Sequence, residues 1–342
     1  MAAGFKESTN KGETVCVNAN EKETSLINNL REYIDKKHLI CKFETSSSWI
    51  ILSSIEQSIK SKIEENGKPL KDWGVTINRG VLTGFNDAFI INSETRDEIL
   101  SNCQSEDERR RTIKVIKPLL RGRDIKRYDY SWAEMWLIFI PWHFPLNSDN
   151  SIQGASNEAE EKFKNSYHSL YLYLLKYKKE LSERNKAETG KRYEWYALQR
   201  WGSKYWEDFY KPKVLWKIIG CNINFCYDEH DMMCNNAVNL MVGDRKKLIQ
   251  FVGLMNSKLF DWYLKITSEA EVQGGGIQLY VTTLEKTLLK LDFPDTLTEI
   301  IYQRIKNQVS DDMVDKAIFE AYKLNPEEQM FILNDRRVNR NL

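Results

Sequence analysis

The stretch VLWKIIGCNINFCYDEHDMMCNNAVNLMV, residues 214–242, carries three short runs of strand-forming residues. These runs cover 214–219, 222–227 and 238–242 and are rich in aliphatic and aromatic side chains. A further run of the same kind, WLIFI, covers 136–140. Apolar runs of this length with turn-forming residues between them are typical of strands joined by short connections. The sequence therefore predicts a sheet.

Helical spacing of apolar residues occurs on both sides of these strands, and it predicts an α+β fold in which helices flank a mixed twisted sheet. The end of the chain is predicted to be helical as well. In 49–66 the apolar stripe is followed by Gly67, a typical helix stop. The predicted helices are 25–37, 49–66, 158–184, 246–265, 297–309 and 311–323.

Residues 74–92, GVTINRGVLTGFNDAFIIN, mix apolar and polar residues around two glycines. Glycine between two strand-like runs is typical of a tight turn. We therefore expect two strands here, joined by a turn at Gly80 and Gly84.

Composition is that of a folded protein, with 42% hydrophobic and 12% aromatic residues among 342. A chain of this length holds one large domain or two ordinary ones. It lacks an apolar run long enough to span a bilayer, and its start lacks the apolar core of a secretory signal. Six cysteines are too few for a disulfide scaffold of this size, so we expect a soluble, cytoplasmic protein with reduced thiols.

Charge is balanced over the whole chain, with 50 basic and 49 acidic residues and a net charge of +1. A nucleic-acid surface would therefore have to be local. One stretch is locally basic, although such a run is also typical of a solvated face. Its basic residues are Arg109, Arg110, Arg111, Lys114, Lys117, Arg121, Arg123, Lys126 and Arg127.

No common catalytic motif is present in the sequence. It contains neither GxGxxG nor GxxxxGK[ST], the glycine-rich loops that bind nucleotides. It also lacks the Asn-Pro-Pro-Tyr type of segment that holds a flipped adenine during methyl transfer. The one Pro-Asp pair, Pro294-Asp295, is not followed by the acidic-x-Lys element of metal-dependent nucleases. We therefore predict no catalytic residue in this chain.

One cysteine and histidine cluster has the composition of a zinc site, with Cys221, Cys226, His230 and Cys234 spaced C-x4-C-x3-H-x3-C. On an extended segment Cys221 and Cys226 would point to opposite faces of the sheet. Neither belongs to the C-x2-C knuckle of most structural zinc sites. We predict ordinary strand and turn residues and no metal.

Three stretches together resemble the TaqI-like C-terminal specificity domain of Eco57I-type (type IIG) restriction-modification proteins, where it follows an adenine-specific DNA methyltransferase domain. Residues 73–92 are similar to the family's RG-x-x-TG-x-N-x-AF-x-I segment. Residues 116–128, IKPLLRGRDIKRY, are similar to its RGRDI-x-RY element, and 254–263 to its LNSKL helix. In that family a methyltransferase domain precedes the first motif, so the resemblance implies a fragment, a truncated gene or a stand-alone specificity subunit.

The resemblance implies a bacterial target-recognition domain whose partners are double-stranded DNA and a methyltransferase domain or subunit outside this chain. It implies no cofactor here, since S-adenosylmethionine and Mg²⁺ belong to the catalytic domains. Arginine and lysine side chains can neutralise phosphates or bind guanine, and Asn or Gln can pair with adenine. Gly80 and Gly84 would let a turn approach a phosphate. The candidate DNA-binding residues are Arg79, Thr83, Asn86, Arg121, Arg123, Lys126, Arg127 and Gln273.

Several alternatives stay open from sequence alone. Gly84 would also suit a simple turn, Asn86 a strand cap, and Asp124 an ion pair with Arg123 or Arg127. The aromatic and basic stretch 191–213 fits a nucleic-acid surface or a core equally well.

The chain as a whole would also suit a catalytically inactive scaffold that binds a protein partner. The predicted organisation is a flexible lead-in at 1–20, a helical connector at 21–72, the recognition domain at 73–294 and a helical segment at 295–342.

Overall fold

The computed structural model describes residues 2–5, 13–18, 29–42, 51–65, 67–220, 224–267, 271–272, 276–335 and 337–338. Helices and several small sheets alternate along the chain, which confirms the predicted α+β fold. Each helix within these ranges is too short or too polar to cross a bilayer.

Sixteen strands are present in the described residues, and most are short. They are β1 (Ala2–Phe5), β2 (Glu13–Asn18), β3 (Leu39–Lys42), β4 (Lys68–Pro69), β5 (Thr76–Arg79), β6 (Ile90–Ile91), β7 (Ile116–Leu120), β8 (Trp136–Ile138), β9 (Lys213–Lys217), β10 (Ile219–Gly220), β11 (Phe225–Asp228), β12 (Met233–Cys234), β13 (Val238–Val242), β14 (Glu271–Val272), β15 (Gly276–Gln278) and β16 (Leu288–Leu289).

The central sheet has the order β11-β9-β13-β5 and is antiparallel throughout. Successive side chains of a strand point to opposite faces, and both faces of this sheet are buried. Leu215 and Leu240 belong to one apolar core, whereas Trp216 and Met241 belong to the other. The sheet therefore separates two hydrophobic cores.

A second sheet, β12-β7-β8-β6, contains one parallel pair, β12 with β7. It packs in the first core together with the helices before β9. The backbone of Val81, just after β5, bonds to Cys234 at the end of β12 with an N···O distance of 2.8 Å. The two sheets therefore meet where β5 ends.

Helices cover both cores. The second core is formed mainly by the helices from Arg245 onward, with Ile301, Val314 and Ile332 of the last three helices buried in it. The α-helices are α1 (Leu30–Lys37), α2 (Ser54–Glu64), α3 (Asn86–Phe89), α4 (Ser93–Ser101), α5 (Glu106–Val115), α6 (Asn157–Ser166), α7 (His168–Leu175), α8 (Lys178–Glu183), α9 (Arg245–Asn256), α10 (Lys258–Thr267), α11 (Val281–Lys286), α12 (Asp295–Ile305), α13 (Asp311–Ala321) and α14 (Pro326–Asn334).

The sequence predicted the long elements and missed their breaks. The strand-like runs at 136–140 and 238–242 and the last two predicted helices are confirmed as β8, β13, α12 and α13. The helix predicted at 158–184 is instead three helices, α6 to α8, and 246–265 is two. Residues 2–5 and 13–18 of the predicted lead-in form strands that pair in one sheet with β3. The predicted domain boundaries stay predictions.

The predicted turn between two strands at Gly80 and Gly84 was wrong. β5 ends at Arg79, and the chain continues through a loop and α3 to β6, which lies in the other sheet. A Cβ on Gly80 would lie only 2.1 Å from the Asn235 carbonyl oxygen. Gly80 is therefore required for the close approach of two backbone segments far apart in sequence.

A buried ion pair joins β11, an edge strand of the central sheet, to its neighbour β9. Lys213 of β9 lies directly opposite Asp228 of β11, both side chains are 0% exposed, and Nζ lies 2.6 Å from Oδ2. Nζ also donates to the carbonyls of Phe209 and His230, each at 2.8 Å. Asp228 Oδ1 accepts from the hydroxyl of Tyr130 at 3.2 Å and from the His230 amide at 3.0 Å. Both charges are thus held by several hydrogen bonds.

We predict that Lys213→Met lowers the free energy of unfolding by about 3–5 kcal/mol, because it leaves the Asp228 carboxylate buried without its cation. Urea unfolding measures this loss. The matched control is Lys211→Met, whose exposed ammonium pairs with Asp208; we expect only a small loss of stability, because solvent screens that ammonium. Equal losses for the two variants would contradict a stabilising role for the buried pair.

Candidate nucleic-acid interface

A groove of about 940 Å³ opens where β5 and β9 end. The turn after β7 and the turn between β12 and β13 form its other walls. Among the described residues, its lining has five cations and five carboxamides against a single carboxylate. The cations are Arg79, Arg121, Arg123, Lys126 and Lys217, the carboxamides are Asn86, Asn224, Asn235, Asn236 and Gln278, and the carboxylate is Asp87.

Arg79 is exposed, and two hydrogen bonds to neighbouring residues fix its position. Its Nε donates to the carbonyl of Asn236 at 3.3 Å, and its own carbonyl accepts from the hydroxyl of Tyr205 at 2.9 Å. Within the described residues no carboxylate lies within ion-pair distance of its guanidinium. The two terminal nitrogens are therefore available to a ligand in the groove.

Arg121 is neutralised inside its own turn. Its Nε and Nη2 donate to the two carboxylate oxygens of Asp124 at 3.0 and 3.1 Å, and its backbone amide donates to Oδ2 at 2.8 Å. Asp124 therefore pairs with Arg121, and not with Arg123 or Arg127 as the sequence alternatives had it. The bidentate pair shapes the turn Gly122–Asp124.

Arg123 and Lys126 are the exposed cations of this turn. Lys126 Nζ donates to the Arg123 carbonyl at 3.1 Å. In the described part of the chain, neither side chain has a carboxylate partner. Both positive charges are thus accessible to an anionic ligand along the groove.

Arg127 lies apart from the groove. Its Nη1 is 2.8 Å from Asp311 Oδ2, and its Nη2 donates to the carbonyl of Asn256. Asn256 in turn bonds both backbone groups of Phe225, with distances of 2.7 and 3.0 Å. The guanidinium therefore joins the end of α9 to the start of α13, next to the β11 edge that Asn256 holds, while the predicted DNA contact of Arg127 stays a prediction.

Thr83 and Asn86 are joined by a hydrogen bond between their side chains. Thr83 is 2% exposed, and its hydroxyl donates to Asn86 Oδ1 at 2.7 Å, which leaves the Asn86 amide nitrogen facing the groove. Thr83 is thus a positioning residue. Gln273, the remaining candidate, lies outside the described residues.

The glycines of the first motif serve contacts within the protein. Gly84 has φ +80°, and a Cβ there would lie 2.7 Å from Gln199 Oε1 and 2.9 Å from Arg184 Cδ. Gly80 faces the Asn235 carbonyl, as described above. Both glycines thus allow tight internal packing, and their predicted close approach to a phosphate stays a prediction.

Cys226 and Cys234 are fully buried in the first core. Burial raises the pKa of the Cys226 thiol well above its ordinary value and that of Cys234 to about 12. The thiolate, the form that binds zinc, is thus disfavoured at both. No group of three metal-binding side chains occurs in the described residues; Cys221 lies outside them, so the predicted absence of zinc stays a prediction.

The aromatic part of 191–213 lies largely in the first core. Tyr193 and Tyr196 are 0% exposed, and the Tyr196 hydroxyl donates to the Phe144 carbonyl at 2.9 Å. Trp206, with 37% exposure, is on the surface. The geometry favours a structural role for most of this stretch.

Sequence reasoning missed five of the ten cations and carboxamides that line the groove in the described residues. Lys217, Asn224, Asn235, Asn236 and Gln278 were not candidates. The consecutive asparagines between two buried strands were a usable signal, because polar side chains in such a turn face solvent. The other three converge only through the packing of separate elements.

Comparison with known proteins gave one family and a number of solved structures, two of which are described below. A model of the TaqI-like C-terminal specificity domain matches residues 117–287, which is half of the chain. No curated protein is significantly similar in sequence.

Two solved structures resemble the chain at 11% identity each. The type IIG restriction endonuclease BpuSI gives a TM-score of 0.44 over 73% of this chain and 27% of its own. The type IIL restriction-modification enzyme MmeI, solved in complex with DNA, gives 0.45 over 88% of this chain and 39% of its own. The chain thus spans less than half the length of either enzyme. By its family match, the chain belongs to the TaqI-like C-terminal specificity domains.

Proposed function

We propose that this chain recognises a short sequence in double-stranded DNA, as the specificity module of a restriction-modification protein. The observation that carries the proposal is the groove, in which four cations without a carboxylate partner among the described residues lie beside five carboxamides. Family membership supports it, since a specificity domain needs a surface that distinguishes one ligand sequence from another.

The charge distribution suits a local DNA footprint. The chain is almost neutral, with a net charge of +1, yet Arg79, Arg123, Lys126 and Lys217 converge on one groove, where Asp87 is the single acid among the described residues. Such a local excess attracts phosphates and releases their counterions on binding. The footprint is therefore small and depends on few side chains.

The carboxamides supply the second requirement, base discrimination. In the major groove Asn and Gln bind the N6 and N7 atoms of adenine, and Arg binds O6 and N7 of guanine. Arg79 suits guanine, because its Nε is already bonded to Asn236 and its two terminal nitrogens are available. Arg123 and Lys126, exposed at the turn, suit phosphates.

The catalytic partner is proposed to lie outside this chain. The sequence has no recognisable donor-binding loop or adenine-holding segment, so no methyl-transfer step involves its residues. We infer that the bound site presents a target adenine to a methyltransferase domain or subunit, which would hold S-adenosylmethionine, with Mg²⁺ needed only for cleavage.

Replacement of Arg123 by Ala tests the phosphate role. We expect weaker binding to all duplexes alike and a salt slope smaller by about one unit, because one released counterion is lost. Fluorescence anisotropy titrations at several salt concentrations measure both. Arg110→Ala is the matched control, since Arg110 is also exposed but pairs with Asp107 away from the groove. An unchanged slope in both Arg123→Ala and Lys126→Ala would place the DNA elsewhere.

Replacement of Arg127 by Ala distinguishes a fold contact from a DNA contact. The loss of its bonds to Asp311 and Asn256 should lower the free energy of unfolding by about 1–3 kcal/mol while the salt slope of the folded variant stays that of the wild type. Urea unfolding and the same titrations give the two numbers. A smaller slope with unchanged stability would show that Arg127 binds DNA, as the sequence predicted.

Incubation with labelled S-adenosylmethionine tests the absence of catalysis. The purified chain should transfer no methyl group to DNA above background, because the sequence has neither of the segments that such transfer uses. Labelled DNA produced by this chain alone would overturn the proposed division of roles. If the wild-type chain binds no duplex at any salt concentration, the scaffold alternative replaces the proposal.

A further inference from the structure

Ile219 is an exposed apolar side chain at the edge of a polar groove. It is 55% exposed, although isoleucine is usually among the most buried residue types. It lines the groove beside Gln278 and belongs to the short strand β10. Its exposure is thus located where a ligand is proposed to bind.

The pairing of β10 with β15 sets Ile219 and Gln278 side by side. The two residues are directly opposite each other in an antiparallel ladder. Side chains at such positions lie on the same face, with Cβ atoms about 4.5–5.5 Å apart. They therefore present an apolar side chain and a carboxamide next to each other on one face.

The next residue explains why Gln278 faces the groove. Leu279 is fully buried in the second core, and its amide donates to the Ile218 carbonyl at 2.9 Å. Because the chain is extended here, a buried Leu279 turns Gln278 to the opposite side. Within the described residues the Gln278 carboxamide makes no side-chain hydrogen bond, so its donor and acceptor are both available.

This combination matches one base pair in the major groove. Adenine offers an N6 donor and an N7 acceptor, which a carboxamide binds in bidentate fashion, and its partner thymine offers a 5-methyl group to an apolar side chain. A G·C pair lacks that methyl group, and guanine presents two acceptors. Resting on the proposed DNA function, we propose that Ile219 and Gln278 together read an A·T pair.

The experiment first selects a preferred duplex from a random library with the wild-type chain. Each thymine in that duplex is then replaced by deoxyuridine, which removes only the methyl group, and each adenine by 7-deazaadenine, which removes the N7 acceptor. At one A·T pair, both replacements should weaken wild-type binding, by about five- to 100-fold for the adenine change.

Two variants test which side chain is responsible for the preference for thymine and which for the preference for adenine. Ile219→Ala should bind the thymine and deoxyuridine duplexes equally well, while Gln278→Ala should lose its preference for adenine over 7-deazaadenine at the same pair. Arg123→Ala is the control, since a phosphate contact leaves both preferences intact. Circular dichroism melting checks that every variant is folded.

The outcomes separate this inference from the proposed function. Wild-type binding to a selected sequence with both preferences retained in Ile219→Ala and Gln278→Ala overturns the inference and leaves DNA recognition standing. The same holds if no thymine in the site responds to loss of its methyl group. A wild-type chain that binds no duplex overturns the proposed function and the inference with it.

Discussion

The central sheet depends on one constraint, which is that both of its faces are buried. A slip of one residue between β9 and β11 would exchange the side chains of the two cores. It would also place Lys213 and Asp228, both without solvent access, opposite apolar neighbours. Desolvated charges without partners are among the most costly errors a fold can make. Hydrophobic burial and the ion pair together therefore fix the register of β9 and β11. The positions of the groove walls at the strand ends depend on that register.

The motif residues around the groove divide into two groups. Arg121, held by Asp124, and Arg127, held by Asp311 and Asn256, use their charges inside the protein. Arg123 and Lys126, only a few positions away, leave their charges at the surface. A charged residue within a basic motif is thus not by itself a ligand contact. Arg121 shapes the turn from which Arg123 and Lys126 face the groove, whereas Arg127 joins more distant parts of the fold.

The sequence predicted most of what depends on local order. Apolar runs identified β8, β9 and β13, and helical spacing identified the C-terminal helices, because those patterns are contained within each segment. The turn predicted at Gly80 was wrong because glycine is required there by a contact outside the segment, with the Asn235 carbonyl oxygen. Only half of the cations and carboxamides of the groove were predicted, because the others are brought there by contacts between segments far apart in sequence. Arg79, Asn86 and the Arg121 turn are recognisable within motifs, whereas Lys217 and Gln278 reach the groove only through strand pairing and packing.

The contact between Gly80 and the Asn235 carbonyl has a consequence for how such a surface diverges over evolutionary time. It fixes the backbone of the turn at 235–237 while leaving the side chains of Asn235 and Asn236 pointing away from both cores. An exchange at Asn236 alters what the groove can hydrogen-bond without opening a cavity or stranding a charge, whereas Asn235 Oδ1 also accepts from the Ala237 amide within the turn. A change at Gly80, by contrast, displaces the whole wall. The fold thus separates positions free to acquire new preferences from those that must stay as they are.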